Sequence, residues 1–198
     1  MRKEIRICGF GGQGVGLAGN ILGKALALYE GVEAVMTQNY GPEARGGASS
    51  ANVVMSDQPI AYPFIQQADV LVALSQEAYA KFRPRAKPDA MVLIDEDLVT
   101  PLDGDQVYAI PATRLAEEMG RRIVTNMIML GFFTAATGLV RRENMEEAIA
   151  SSMKPKIVPL NLQAFATGFE YAHPRIAAPF RNASRASITG DDGKEKAS

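Results

Sequence analysis

The stretch CGFGGQGVG, residues 8–16, contains five glycines among its nine residues and decides which fold the chain is expected to have. Residues 5–8 before it alternate and include β-branched side chains, and residues 17–29 after it are rich in Ala and Leu with helical spacing. This order predicts a strand, a tight turn and a helix. A strand that enters a helix through such a turn is typical of α/β proteins with a dinucleotide-binding fold.

Three of these glycines, Gly9, Gly11 and Gly14, match G-x-G-x-x-G, a spacing that brings backbone N–H groups and a helix N-terminus to a pyrophosphate. A dinucleotide site also needs an acidic residue at the end of the second strand. The segment EAVMTQNY ends instead in Gln38, Asn39 and a tyrosine, and no Lys-Ser or Lys-Thr pair follows the loop. The glycines therefore either meet a ligand or only let the helix and the strand pack closely.

Composition restricts the class of protein. The chain has 198 residues, a net charge of −1 and no basic run, so nucleic acid is not expected as a partner. Its single cysteine, Cys8, excludes an internal disulfide, a multi-cysteine zinc site and an iron–sulfur cluster held by this chain alone. Because Cys8 lies within the first predicted strand, we expect a buried structural thiol.

The N-terminus and the most apolar segment bear on the location of the protein. MRKEIRICGF leads directly into the first predicted strand without a signal peptide, so we expect a cytoplasmic protein. The apolar segment at residues 123–139 contains Asn126 and falls short of the roughly 20 apolar residues that a membrane span needs. We expect a helix buried in protein and no association with a membrane.

The first half alternates strand and helix signals, which predicts an α/β fold: a three-layer Rossmann-like domain with a mostly parallel sheet. The connection between the second and third strands is too short for a crossover helix, so the third strand is expected to run antiparallel at an edge. Ser75 is expected to cap a helix that Pro84 limits. The predicted strands cover residues 5–8, 33–38, 51–55, 70–74, 91–94 and 107–110.

The second half is expected to be helical. Gly131, Ala135 and Gly138 lie on nearly one face of the second of its helices, so another backbone is expected to pack against that face, in the core or at a subunit interface. Residues 173–198 lose periodicity and are expected to form a flexible tail after a domain at residues 1–172. The predicted helices cover residues 113–121, 124–140, 144–153 and 160–171.

A second glycine-containing loop, NYGPEARGG at residues 39–47, follows the second strand. It is expected to leave the sheet at the same edge as the first loop, where ligands and partners of α/β sheets bind. Arg45 lies beside two glycines, which suits bidentate contact with a phosphate or a carboxylate. The alternative is that Arg45 stabilises its own loop, through carbonyl groups or through Glu43.

Taken together, these segments resemble the gamma subunit, or gamma domain, of the 2-oxoacid:ferredoxin oxidoreductases. The resemblance extends over residues 1–172, and YGPEARGG is most similar to the 2-oxoglutarate enzymes. It rests on GFGGQGV, on YGPEARGG followed by ANVVMSDQPI, on ADVLVALSQEAYAKF, on NMIMLGFFTAATGL and on NLQAFATGFEYA.

The resemblance implies a subunit of a multisubunit enzyme rather than a catalyst on its own. Such an enzyme decarboxylates a 2-oxoacid, joins the acyl group to coenzyme A and passes electrons to ferredoxin. The 2-oxoglutarate enzyme, which forms succinyl-CoA and CO2, is the first expectation, and pyruvate, branched-chain 2-oxoacids and indolepyruvate are the alternatives. The alternative from another functional class is a free-standing Rossmann-type nucleotide-binding oxidoreductase.

The resemblance also implies a division of labour among the subunits. Alpha and beta parts hold thiamine diphosphate, and beta or delta parts hold iron–sulfur clusters, so this chain is expected to hold no cofactor or metal alone. It is expected to dock through its loops and its apolar helix. Arg45 and the backbone amides of Gly11, Gly12, Gln13 and Gly14 are expected to meet either a phosphate of the co-substrate coenzyme A or a partner carboxylate. No residue receives a proton-transfer role.

Overall fold

The computed structural model describes residues 1–39, 47–172 and 176 of the chain. The tail expected at residues 173–198 lies outside the described residues, apart from Ile176. Six strands in this part of the chain form one sheet, and each contains or closely overlaps a predicted strand. They are β1 (Arg2–Phe10), β2 (Glu33–Asn39), β3 (Ala48–Ser56), β4 (Ala68–Ala73), β5 (Ala86–Asp95) and β6 (Tyr108–Ile110).

The sheet has the order β2-β3-β1-β4-β5-β6. β1, β4, β5 and β6 pair in parallel, whereas β3 pairs antiparallel with both β2 and β1. The prediction that β3 runs antiparallel is confirmed, but its placement at the edge is wrong, because β2 occupies the edge. A short connection requires only that β3 lies beside β2. The nine consecutive residue pairs that β3 forms with β1 insert it between the two.

The helices agree with the predicted ones to within a few residues. Ser75 caps α2 as expected, since its side chain accepts a hydrogen bond from the N–H of Ala78 at 3.3 Å. Five π-helical residues, Ala25–Tyr29, extend the first helix. The helices are α1 (Val15–Lys24), α2 (Gln76–Phe82), α3 (Ala112–Glu118), α4 (Thr125–Thr137), α5 (Arg142–Ser152) and α6 (Val158–Ala172).

Two apolar clusters lie on opposite faces of the sheet and make the three layers. The larger cluster joins Ile5, Val72 and Leu93 of the strands to α1 and to the C-terminal helices. The smaller cluster joins the other face of the same strands, through Leu71 and Val92, to α2. The expected fold class, a three-layer α/β domain with a mostly parallel sheet and a helical C-terminal part, is therefore confirmed. Among the described residues, no helix combines the length and the apolarity that crossing a bilayer requires.

Helix α4 belongs to the core. Every residue of α4 except Ala135 is buried, and a Cβ at Gly131 would overlap the backbone of Phe165 in α6. Gly168 of α6 lies equally close to the backbone of Ile128. The expected close backbone contact is thus made within the chain, so the expectation that α4 docks a partner is wrong. Gly138 ends α4 in the left-handed conformation at φ 60°.

Candidate functional site

The glycine loop, residues 11–14, joins the carboxyl end of β1 to the N-terminus of α1. Gly12 has φ 97° and Gly14, the N-cap of α1, has φ 71°. These are left-handed values that favour glycine, because a Cβ would clash with the backbone. The carbonyl of Gly14 accepts the N–H of Ala18 at 2.9 Å, which begins the helix. The loop therefore makes the predicted tight turn from strand to helix.

The side chain of Gln13 folds back across the loop. Its Oε1 accepts the N–H of Phe10 at 2.6 Å, and its Nε2 donates to the carbonyl of Leu74, directly after β4, at 2.7 Å. The backbone N–H of Gln13 also donates to the carbonyl of Phe10, at 3.2 Å. Because this amide is engaged within the loop, a ligand would use those of Gly11, Gly12 and Gly14. The glycine spacing gave no sign of this clamp.

The three glycines of the G-x-G-x-x-G pattern meet different surroundings. A Cβ at Gly9 would press on Gln13, Leu74 and Val15, and one at Gly14 would overlap the amide of Asn126 in α4. Among the described residues, a Cβ at Gly11 would meet nothing within 4 Å. Packing and turn geometry thus account for Gly9 and Gly14. Contacts with the described residues do not account for Gly11, which lies exposed at the tip of the loop.

Asn126 links the loop to the C-terminal helices. It is buried near the start of α4, and its Nδ2 donates to the carbonyl of Gly14 at 3.2 Å. The signal for this role was visible in the sequence, since Asn126 is a lone amide in a long apolar segment. The contact holds the N-terminal ends of α1 and α4 together at the carboxyl edge of the sheet.

An open cleft of about 280 Å³ lies beside the glycine loop. Its wall is fixed by Asp95 at the end of β5, which is fully buried and accepts Thr113 Oγ1 at 2.6 Å. Burial raises the pKa of the Asp95 carboxyl, and the hydrogen bonds from Thr113 oppose that shift. The residues that line the cleft are Gly12, Gln13, Thr113, Arg122, Ile123 and Thr125.

Two features of this cleft suit contact with another molecule. Arg122 supplies an exposed guanidinium, whose Nη1 lies 3.7 Å from a carboxylate oxygen of the equally exposed Glu117. Ile123 exposes 79% of its surface, and Phe10, at the end of β1, exposes 39%. The cleft therefore combines a cation, hydroxyl groups and the apolar side chain of Ile123, while Phe10 lies outside its lining. Arg122 was not predicted from the sequence, because it lies in GRRIVTN, away from the glycine-rich loops and the predicted strand ends.

Arg45 lies outside the described residues, as does the whole segment 40–46. The strands on either side of that segment place its two ends, because Phe10 pairs with Ala48 and Asn39 pairs with Ser50. The second loop thus leaves and enters the sheet beside the end of β1, at the edge that the sequence predicted. β2 ends in Gln38 and Asn39, so the end of this strand does not carry the acidic residue of a dinucleotide site.

Cys8 does not suit a metal centre. It is fully buried in β1, and burial raises the pKa of its thiol to about 12. An iron–sulfur cluster needs several cysteine thiolates, and a thiol with this pKa stays protonated at neutral pH. The prediction of a buried structural thiol is confirmed.

Comparison with known proteins agrees with this architecture. Residues 4–171 match the model of the family described as pyruvate ferredoxin/flavodoxin oxidoreductase. The chain is 52% identical over 177 residues to 2-oxoglutarate synthase subunit KorC of Methanocaldococcus jannaschii, an alignment that covers 87% of this chain and 95% of KorC.

Two solved structures share the fold. The keto/oxoacid ferredoxin oxidoreductase gamma subunit of Geobacter sulfurreducens matches with a TM-score of 0.79 and 43% identity, over 87% of this chain and 97% of that one. The 2-oxoglutarate:ferredoxin oxidoreductase of Magnetococcus marinus, solved with 2-oxoglutarate, coenzyme A and succinyl-CoA, matches with a TM-score of 0.80 and 25% identity. It aligns with 90% of this chain but over only 32% of its own. A domain of this kind thus occurs both as a separate subunit and within a longer chain.

Proposed function

The chain belongs to the pyruvate ferredoxin/flavodoxin oxidoreductase family, and from this we propose that it is the gamma subunit of a multisubunit 2-oxoglutarate:ferredoxin oxidoreductase. The observation that carries the proposal is the 52% identity to a 2-oxoglutarate synthase subunit over 95% of that subunit. The complete enzyme would convert 2-oxoglutarate, coenzyme A and oxidised ferredoxin into succinyl-CoA, CO2 and reduced ferredoxin. This protein would contribute to that reaction only within the complex.

The chemistry of the chain supports a division of labour in which alpha and beta subunits, and a ferredoxin-like delta subunit, hold the cofactors. The only cysteine is buried and protonated at neutral pH, so an iron–sulfur cluster would need ligands from another chain. Thiamine diphosphate supplies the carbanion chemistry of 2-oxoacid decarboxylation, and we assign it to the partner subunits as well. No step of the reaction is assigned to a side chain of this protein.

At the carboxyl edge we propose a binding role for the two glycine-containing loops and for the cleft beside the first of them. The amides of Gly11, Gly12 and Gly14, the turn at Gln13 and the guanidinium of Arg45 would receive a phosphate of coenzyme A. Arg122 in the cleft is a second cation for the same molecule. A guanidinium and backbone amides recognise phosphate oxygens by charge-assisted hydrogen bonds. A carboxylate of a partner subunit is the competing occupant.

Gly11 supports this placement. Its backbone needs no glycine for the turn, and a side chain there would meet no atom of the described residues within 4 Å. The space that the described residues leave open at this position allows another molecule to approach the backbone closely. The apolar surfaces of Phe10 and Ile123 flank the approach.

The experiment that tests the function starts from the chain in its native cell extract. The chain is captured through an affinity tag under anoxic conditions, and the captured material is assayed for coenzyme A-dependent reduction of ferredoxin with 2-oxoglutarate and then with pyruvate. We expect thiamine diphosphate and iron–sulfur subunits to be captured and 2-oxoglutarate to give the turnover. Turnover with pyruvate alone would overturn the assignment of 2-oxoglutarate as the substrate. Isolation of the chain by itself with tightly bound NAD or NADP would overturn the family-based function.

A further inference from the structure

Arg6 is a buried arginine in the middle of β1, with only 8% of its surface exposed. Side chains alternate along a strand, and Cys8 belongs to the smaller apolar cluster, so Arg6 points to the same face of the sheet, towards α2. Its Nε donates to Asn52 Oδ1 of β3 at 2.9 Å, and its guanidinium carbon lies 4.7 Å from the centre of the Phe82 ring. These two contacts hold the guanidinium in one orientation.

The far side of the Arg6 guanidinium lacks a partner. Nη1 is buried without a hydrogen bond, and it is the only such side-chain atom in the part of the chain that the structure describes. The carboxylate of Glu4 is engaged elsewhere, since it accepts Arg2 Nη2 at 3.0 Å and two backbone N–H groups of the loop before β4. Cys8 supplies no negative charge, because burial raises the pKa of its thiol to about 12. The described residues thus leave a buried positive charge without a counter-ion, which proteins otherwise avoid.

Two further cations lie near the guanidinium, at the end of α2. Lys81 Nζ is 5.4 Å from the centre of the Phe82 ring that Arg6 also contacts. Burial lowers the pKa of the Arg6 guanidinium, and the nearby charge of Arg85 lowers it further, against opposing effects of Cys8 and Glu4. Lys81 and Arg85 are exposed, and neither forms an ion pair with a described residue. Three cations therefore meet here without a carboxylate of the described residues bound to them.

We propose that Arg6, Lys81 and Arg85 bind the phosphate group of a small molecule. A guanidinium that is fixed through its Nε presents its Nη groups as charge-assisted donors, which suit the oxygens of a phosphate or a carboxylate. A phosphate monoester carries about −1.5 to −2 charges at neutral pH, whereas a carboxylate carries one, so three cations favour the phosphate. The inference does not rest on the proposed function.

This site is separate from the glycine loop. Arg85 directly precedes β5, so it lies towards the edge of the sheet at which the parallel strands begin. The glycine loop lies at the opposite edge, and Arg6 is four positions before Phe10 in β1, roughly 13 Å at the rise of a strand. A phosphate would approach past the exposed Lys81 and Arg85 and end at the Nη groups of Arg6.

Titration of the complete chain with inorganic phosphate tests the site, with nitrogen-15 NMR of the arginine Nε–H groups as the readout and chloride at equal ionic strength as the reference. The Arg6 signal is identified by its absence from the Arg6→Gln variant. Gln has a nitrogen donor at the position of Nε, so this variant can keep the bond to Asn52 while it loses the charge. We expect the Arg6 signal to shift saturably with phosphate. No shift, or an equal shift with chloride, would overturn the proposal.

Variants of the exposed cations test the composition of the site. Lys81→Gln and Arg85→Gln should each weaken the affinity for phosphate about two- to fivefold. Lys156→Gln removes an exposed charge that lies just before α6, outside the site, and should leave the affinity unchanged. Equal effects of all three variants would overturn the site. A shift of the Arg6 signal with acetate as large as the shift with phosphate would overturn the choice of phosphate.

Thermal unfolding separates this site from the cleft beside the glycine loop. Phosphate should raise the unfolding midpoint of the unmodified chain, because only the folded state assembles the three cations. Arg6→Gln should lose most of this increase, whereas Arg122→Ala, in the cleft, should keep it. The opposite result, with the increase kept in Arg6→Gln and lost in Arg122→Ala, would assign the phosphate to the cleft and overturn the site at Arg6.

Discussion

Gln13 and Leu74 are joined by a hydrogen bond of 2.7 Å from the side-chain amide of the first to the carbonyl of the second. This bond connects the glycine loop after β1 to the end of β4, two neighbouring parallel strands. A loop of four residues between a strand and a helix is thereby fixed by its own side chain. The surface that the loop presents is therefore formed before any ligand or partner arrives.

Removal of this clamp should destabilise the fold. Gln13→Ala leaves the N–H of Phe10 and the carbonyl of Leu74 without their partner, and we expect the free energy of unfolding to fall by about 1–3 kcal/mol. Urea denaturation of the purified chain measures this free energy of unfolding. Gln163→Ala, on the exposed face of α6, is the control and should change the value by less than about 0.5 kcal/mol. Equal effects of the two variants would show that the clamp contributes nothing.

The contact between α4 and α6 should not tolerate a methyl group. In the Gly131→Ala variant the added Cβ meets the backbone of Phe165, which cannot rotate away, and we expect a loss of about 1–3 kcal/mol or more. Gly23→Ala is the matched change in α1, where the new Cβ makes only an ordinary 3.5 Å contact with Met36. It should raise stability by about 0.5–1 kcal/mol. Thermal denaturation in dilute solution compares the two, and a stabilised Gly131→Ala variant would contradict the backbone contact.

A substitution at Gly11 should affect function without lowering the stability of the fold. Gly11→Ala should leave the stability of the chain unchanged or raise it by up to about 1 kcal/mol, because no atom of the described residues opposes the new Cβ. In the assembled enzyme the same methyl group should raise the KM for coenzyme A or weaken the capture of partner subunits. Denaturation and steady-state kinetics on the same preparations test this. Unchanged assembly and unchanged kinetics would mean that no molecule approaches the loop at Gly11.

Replacement of Arg122 should change the KM for coenzyme A more than replacement of its neighbour Arg121. If Arg122 meets a phosphate of coenzyme A, Arg122→Ala removes a charge-assisted hydrogen bond and should raise the KM for coenzyme A by about tenfold. The KM for 2-oxoglutarate should stay the same. Arg121→Ala removes an exposed arginine that does not line the cleft and should change neither constant. Loss of subunit assembly with an unchanged KM would indicate a partner carboxylate in place of the phosphate.

Acid should weaken one ion pair in a defined range of pH. Asp105 accepts Arg83 Nη2 at 2.7 Å and also the hydroxyl of Tyr79, and the Arg83 guanidinium holds the pKa of the Asp105 carboxyl below its ordinary value. A lowered pKa in the folded state stabilises the fold above the pKa of the unfolded chain, about 3.9, and this contribution is lost as the pH falls further. Asp105→Asn should therefore be less stable than the unmodified chain at neutral pH. Denaturation curves at several pH values should show the difference shrinking below about pH 4. A constant difference would contradict the ionic origin.

Much of the fold could be predicted because it depends on short-range patterns. The succession of strand and helix signals along the first half identified the strands, and Ser75 marked the start of α2. The order of strands in the sheet was harder, since the short β2–β3 connection does not determine which of the two lies at the edge. The sequence also did not determine whether α4 lies in the core or at a subunit interface, because an apolar helix has the same composition in both places.

The site was less predictable, because its contacts join residues far apart in the chain. Glycine spacing located the loop, but the bond from Gln13 to Leu74 crosses 61 positions and that from Asn126 to Gly14 crosses 112. Such bonds depend on where whole helices are placed and leave no local pattern. The placement of whole helices also brings Arg122 beside the glycine loop, and no local sequence pattern marks this. Gly11 could be recognised in the sequence, but only the structure shows that the described residues leave space for a side chain there.

The burial of Cys8 also affects how the protein can be handled in air. Oxygen and peroxide attack thiolates at accessible positions, and this chain presents none, because its single thiol lies inside β1. In the proposed enzyme, oxygen damage to iron–sulfur clusters would thus fall on the partner subunits. The chain itself could be purified and stored in air, and returned to anoxic partners without repair of its thiol.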